Sequence, residues 1–408
     1  MLDAINQTDI VIAGAARTPM GGFQGDLSAI AAPQLGGAAI QAALADAGCD
    51  AAAVEEVLMG CVLPAGVGQA PARQAGFAAG LDKSVPASTV NKVCGSGMKT
   101  VMMAHDLIRA GSAELVVAGG MESMTNAPYL STATRGGARL GHAGLKDHMF
   151  LDGLEDAYDS GRLMGSFAED CAAHYQFSRE AQDAFALQSL ANAREAQDSG
   201  AFEGEIAAVT INTRRGDVVV DQDEQPGKAR PEKIPQLKPA FAADGTVTAA
   251  NASSISDGAA ALVVTSGAMA ASKGLKVRAR ILGHAGHAHE PGWFTTAPVP
   301  ATRKLLDRLG WHVADVDLWE VNEAFAVVPM AFMHEFGIAR DRVNVNGGAC
   351  ALGHPIGASG SRIIVTLLNA LEKRGLQRGV AAICIGGGEG TAIAVEPVSY
   401  THLRAHET

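Results

Sequence analysis

Residues 90–120 read VNKVCGSGMKTVMMAHDLIRAGSAELVVAGG, and residues 350–388 read CALGHPIGASGSRIIVTLLNALEKRGLQRGVAAICIGGG. Each segment sets a cysteine and small residues before a helical stretch, about Met98 to Arg109 in the first and Ile363 to Lys373 in the second. Each then ends a short apolar strand in glycines. This is a weak internal duplication of an α/β unit. Further out, DIVIAGA (9–15) and EEVLMGCVLP (55–64) read as buried strands on either side of a helical stretch at 37–47. Short continuous apolar strands with helical crossovers predict mostly parallel sheets covered on both faces.

The 408 residues suit two or three domains at about 150 residues each. Apolar residues make up 48% and charged residues 18%, enough for a large core and too apolar for a disordered chain. Glycine contributes 48 residues, well above the usual ~7%, with no repeat every third position. That excludes collagen and points to tight turns and close backbone approaches. The net charge of −11, with no long basic block, argues against nucleic acid as a partner. The uncharged stretches 27–45 and 343–361 contain Pro33 or many Gly and Asn, so neither reads as a membrane span. No export signal is visible at the start. The six cysteines lie far apart, which suits reduced thiols in a cytoplasm.

The middle section differs in character. Residues 123–251 carry clusters of Gly, Asp, Arg and Pro, with one clear amphipathic helix from Ser178 that stops at Gly200. It reads as an insertion lying over the core, where long loops carry function. The last residues, SYTHLRAHET (399–408), fit no element and read as non-native.

Several residues are equipped for chemistry. Cys94 precedes a helix, whose positive end favours thiolate, and Gly95, Ser96 and Gly97 let a substrate approach the backbone. It is equally placed to be a buried structural thiol. Cys350 and His354 have metal-ligand spacing, but Gly353, Pro355 and Gly357 break the helix that would align them, and no CxxC pair supports zinc. A Cys–His relay is the other reading. Cys384 ends a strand before Gly386-Gly387-Gly388, where free N–H groups suit oxyanion stabilisation; a plain buried cysteine is the alternative. The glycines do not make a dinucleotide site, since no GxGxxG opens a βαβ unit. Asn322, after DLWEV, would either cap a helix or orient a water. Cys49, Cys61, Cys171 and Cys350 read as structural.

Taken together, the chain resembles the thiolase family. VNKVCGSG, VVAGGMESM, GTVTAANASSISDGAAA, VNEAFA, NGGACALGHPIGASGSR and CIGGGEGTA match family segments in the right order, over residues 8–397. The resemblance implies that Cys94 is acylated, His354 deprotonates it, and Cys384 exchanges a proton with the substrate α-carbon. One oxyanion hole would join His354 to a water held by Asn322, and the other would use the N–H groups of Cys94 and Gly386. Ser253 would lie near the pantetheine, with Phe241 and Phe325 lining the pocket. The implied fold is α/β, five layers built from two βαβαβαββ halves. The first half would be 1–122, completed by 252–273. An inserted loop domain, 123–251, would cover the coenzyme A site, the second half would be 274–397, and the tail 398–408.

The reaction so implied is reversible condensation of two acetyl-CoA to acetoacetyl-CoA and CoA through an acetyl-cysteine. CoA is then substrate and product, and no further cofactor is expected. FLDGLEDAY (150–158), with Leu154, resembles the short-chain biosynthetic members. Leu163-Met164-Gly165 stands where many of them have His-Met-Gly, so Met164 remains while a histidine contact is missing. No arginine aligns with the usual phosphate contact; Lys228 or Arg230 would replace it, or be solvated surface charge. A homotetramer in fatty acid metabolism is the family expectation. The alternatives are a degradative thiolase of wider chain length, a non-catalytic CoA- or lipid-binding relative, and a ketoacyl synthase. Cys94, His354 and Cys384 argue against the second, and CIGGGEG against the third.

Overall fold

A computed structural model describes residues 5–398. The segment 399–408 lies outside the described residues, whereas Val398 still donates its N–H to Arg278 O at 2.8 Å.

The first half contains β1 (Ile10–Arg17), α1 (Ala32–Ala47), β2 (Glu56–Gly60), α2 (Pro71–Ala78), β3 (Ala87–Val90), α3 (Ser96–Arg109) and β4 (Leu115–Ser123). A middle section follows, with α4 (Met164–Tyr175), α5 (Arg179–Asp198) and the hairpin β5 (Val209–Thr213) to β6 (Gly216–Val220). Next come β7 (Ser256–Ser266), β8 (Ala279–Ala288), α6 (Pro298–Leu309), β9 (Leu318–Val321) and α7 (Val327–Phe336). The chain closes with α8 (Ser359–Arg374), β10 (Gly379–Ile385) and β11 (Glu389–Pro397). Helix α5 starts as its sequence predicts, with Ser178 Oγ accepting the Ala181 N–H at 3.2 Å.

The main strands run in the order β9-β10-β11-β8-β1-β7-β4-β2-β3. Only β9–β10, β4–β2 and β2–β3 pair in parallel; the other neighbours are antiparallel. The expectation of mostly parallel sheets is therefore corrected. The continuous apolar runs have another cause: helices cover both faces, so both faces are buried whatever the strand direction. The tight turn Gly386-Gly387-Gly388 sends β11 back antiparallel to β10.

Five layers follow from the packing. Helices α1 and α2 cover one face of β1, β2, β4 and β7 through Leu35, Ile40, Val117 and Val263. On the other face lie α3 and α8, where Met98, Val101, Ile363 and Leu367 join Val116, Leu262, Ile383 and Ile393 in one core. The far face of β9–β11 is covered by α6 and α7 through Leu305, Val328 and Phe332. The two central helices meet at their N-terminal ends, where a Cβ at Gly360 would stand 2.4 Å from Met98 N and one at Gly97 2.7 Å from Ser361 Oγ. Only glycine permits that approach. It sets the loops before α3 and α8 side by side, and these carry Cys94 and His354. Among the described residues no helix is long and apolar enough to cross a membrane.

Candidate active site

Cys94 sits on the turn between β3 and α3, two residues before the helix begins. The turn is held by its own side chains. Asn91 Oδ1 accepts the Val93 N–H at 2.9 Å, while Ser96 Oγ accepts from Lys92 N at 2.8 Å and donates to Val93 O at 2.7 Å. Val93 is thereby held at φ 45°, a left-handed conformation that costs a β-branched residue strain. The reward is position: the sulfur of Cys94 faces the N–H of Gly386 and its own N–H. Burial nevertheless pushes the thiol up to about 11, and these two N–H groups only partly offset it. Burial thus works against the thiolate expected at a helix end.

His354 lies in the loop before α8, its N–H bonded to Ser254 O at 3.1 Å. Nδ1 stands 2.5 Å from Ser359 Oγ, and that hydroxyl donates to Pro355 O at 3.0 Å. With the hydroxyl proton committed to Pro355, Nδ1 is the ring nitrogen that donates, so Nε2 keeps a free lone pair. Nε2 is buried and has no partner among the described residues. Burial and then the Arg362 charge hold the imidazole down at about 3, so it is neutral at ordinary pH.

Cys384, fully buried at the end of β10, has its thiol pushed up by burial first and then by Cys94 nearby. Asn322 follows β9 and donates its N–H to Ala382 O at 3.0 Å. Its amide oxygen and nitrogen are both buried without a protein partner. Among the described residues its side chain caps no helix, Ala326 standing at the N-cap of α7.

Two residues escaped the sequence reading. Ser359 is one. The other is Glu122, in β4, whose carboxylate accepts N–H groups from Val62 (2.9 Å), Leu63 (3.1 Å) and Gly357 (2.8 Å), and the Cys61 thiol (3.5 Å). Burial raises it to about 7. It pins the loop after β2 to the loop carrying His354. A lone acid in the apolar run LVVAGGMES was its only signal.

The acyl side of the site is apolar. Leu154 and Cys94 pack against Val62, Leu63, Met149 and Ile356. A Cβ at Gly386 would meet Met164 Sδ at 3.4 Å, and one at Gly387 would meet Tyr158 at 3.7 Å. Phe241 and Phe325 stack edge to face at 6.0 Å. Beyond them a cavity of about 340 Å³ lies between α5, the segment 225–237 and Cys350. Lys228 and Arg230 line it, as does Ser254; Ser253 adjoins them and donates its N–H to Ala324 O at 3.0 Å. Lys228 is engaged by Glu224 and by Asp26 at 3.2 Å, which leaves Arg230 and Lys233 as the freer cations. Cys350 is no partner for His354: its thiol faces Glu323 O at 3.8 Å.

The fold and the site define an α/β enzyme built from two similar halves, with paired thiols and a neutral imidazole at their seam. Residues 10–268 match the thiolase N-terminal domain and residues 275–397 the thiolase C-terminal domain, and the chain belongs to the thiolase family. It is 51% identical to acetyl-CoA acetyltransferase 2 of Arabidopsis thaliana, over 97% of this chain and 98% of that one. It is 49% identical to the acetyl-CoA acetyltransferase of Pseudomonas aeruginosa, over 95% and 99%. The crystal structure of the Bacillus anthracis acetyl-CoA acetyltransferase superposes with a TM-score of 0.93 at 40% identity, covering 97% of this chain and all of that one. An Ascaris suum thiolase in complex with coenzyme A gives 0.90 at 42% identity, over 96% of this chain and 100% of that one.

Proposed function

We propose that this acyltransferase joins two acetyl-CoA molecules into acetoacetyl-CoA and CoA, and runs the reverse thiolysis with the same residues. The Cys94 sulfur, flanked by N–H groups from both halves and by a second thiol, carries this reading. In the first half-reaction His354 Nε2 takes the Cys94 proton, the sulfur attacks the thioester carbon, and the carbonyl oxygen gathers charge beside the N–H groups of Cys94 and Gly386. CoA leaves with the proton of Cys384, which becomes a thiolate while His354 keeps the Cys94 proton, and acetyl-Cys94 keeps the energy of a thioester. In the second, Cys384 removes the α-proton of another acetyl-CoA. The enolate oxygen rests against protonated His354 and a water oriented by Asn322, the carbanion attacks acetyl-Cys94, and the departing Cys94 sulfur recovers its proton from His354.

Leu154, Met164, Phe241 and Phe325 bound a small acyl group and pantetheine, with Ser253 alongside. Arg230, helped by Lys228, meets the CoA phosphates. The functional units are 1–122 with 252–273, the cover 123–251, and 274–397. We place the enzyme in the cytoplasm as a homotetramer of fatty acid metabolism. Its six free cysteines suit a reducing compartment, and the open edge of β3 suits subunit pairing. Thiolysis of C4 to C10 3-ketoacyl-CoA tests the substrate. The rate should fall steeply with length, and equal or rising kcat/KM up to C10 would assign a degradative enzyme instead.

A further inference from the structure

Away from the thiols, on the solvent side of α3, two imidazoles and a carboxylate converge. Asp106 Oδ1 stands 3.0 Å from His105 Nδ1 and 2.9 Å from Nε2 of His284, on β8. The two rings lie perpendicular with centroids 5.0 Å apart, and all three ligand atoms fall within 4.8 Å of one another. The imidazoles are mostly shielded, 12% and 15% exposed, whereas Asp106 is 58% exposed and leaves the cluster open to water.

We propose that His105, Asp106 and His284 bind a first-row divalent transition metal of the zinc, cobalt or nickel class. Metal bonds of about 2.0–2.1 Å place neighbouring ligands about 2.9–3.4 Å apart, which the two oxygen–nitrogen separations already meet. Two imidazoles and one carboxylate suit such metals and not calcium or magnesium. Three protein ligands leave coordination positions free. The adjoining cavity, about 450 Å³, is lined by Lys99, Lys304 and Arg308, so an anion is the natural occupant of those positions. The same cations weaken the hold on a bare metal ion. Neither imidazole's remaining nitrogen has a hydrogen-bond partner among the described residues, so the site lacks the outer-shell support that tightens metal binding. None of this rests on the acyl-transfer roles assigned above.

Cobalt(II) titration tests it, with equilibrium dialysis for stoichiometry and absorption for ligand type. The intact protein should take up one more equivalent than a His105→Ala/His284→Ala double variant. That equivalent should show weak visible bands and no thiolate-to-cobalt charge transfer. Asp106→Asn should weaken the same equivalent tenfold or more, and an unchanged far-UV circular dichroism spectrum with cooperative unfolding shows that each variant is folded. Equal cobalt uptake by intact and double-variant protein overturns the site, as does thiolate charge transfer in the extra equivalent.

Discussion

Ser359 Oγ lies 2.5 Å from Nδ1 of His354 while donating its own proton to Pro355 O. That one hydroxyl decides which imidazole nitrogen keeps its lone pair. Ser359→Ala leaves Nδ1–H buried and unpartnered, at a cost of about 1–3 kcal/mol. Acetyl-enzyme formation should slow about 10–100-fold with KM for acetyl-CoA little changed. An unchanged rate would show that the tautomer is held by something else.

Cys94 should rest as a thiol. Its value is pushed up to about 11, so the thiolate fraction climbs with pH throughout the neutral range. Alkylation by iodoacetamide in the free enzyme should therefore accelerate about tenfold per pH unit from roughly pH 7 to 10. A rate that levels off near neutrality would reveal a resident thiolate and reverse this conclusion.

Cys384→Ser separates the two half-reactions. A hydroxyl is nearly isosteric with the thiol but far less acidic. Acetyl uptake on Cys94 should survive, while condensation falls by about 10²–10⁴. Radiolabel retained with acetoacetyl-CoA lost is the expected pair of results. Condensation near the unmodified rate would move the proton-carrying role to His354.

Glu122 links pH to stability. Its value is raised to about 7 in the folded protein against 4.5 for a free carboxyl, so the folded state holds this proton more tightly. Its contribution is full below about 4.5 and declines as pH rises toward 7. Glu122→Gln cannot titrate. The urea midpoint of the unmodified protein, measured against this variant, should therefore fall between pH 5 and 7.5, by the equivalent of at most about 3 kcal/mol. A gap that widens with rising pH would sink the assignment. The variant should also lose kcat, since Gln presents one acceptor where three N–H groups and a thiol converge.

Much of this was legible in the chain. CGSG before a helix and CIGGG after a strand mark Cys94 and Cys384 because small residues advertise close approach before any contact is known. The duplication shows for the same reason. Strand direction did not show, since a run such as LVVAGG is equally apolar in parallel and antiparallel neighbours when helices cover both faces. Glu122 was missed because it acts on Val62 and Gly357, 60 and 235 positions distant. Ser359 acts on Pro355 and His354, only four and five positions away, and was missed because that loop has no periodic pattern to show which way its hydroxyl points. The burial that raises the Cys94 thiol was not legible, because a helix end is visible locally whereas the water excluded around a sulfur depends on the whole fold.

The N–H of Gly386 facing the sulfur of Cys94 also sets a clock on synthesis. The thiol is synthesised 292 residues before the donor that completes its surroundings. A nascent or prematurely stopped chain therefore carries the thiol without the machinery to load it. Under the proposed reaction, loading of Cys94 waits for the second half of the chain to fold around it.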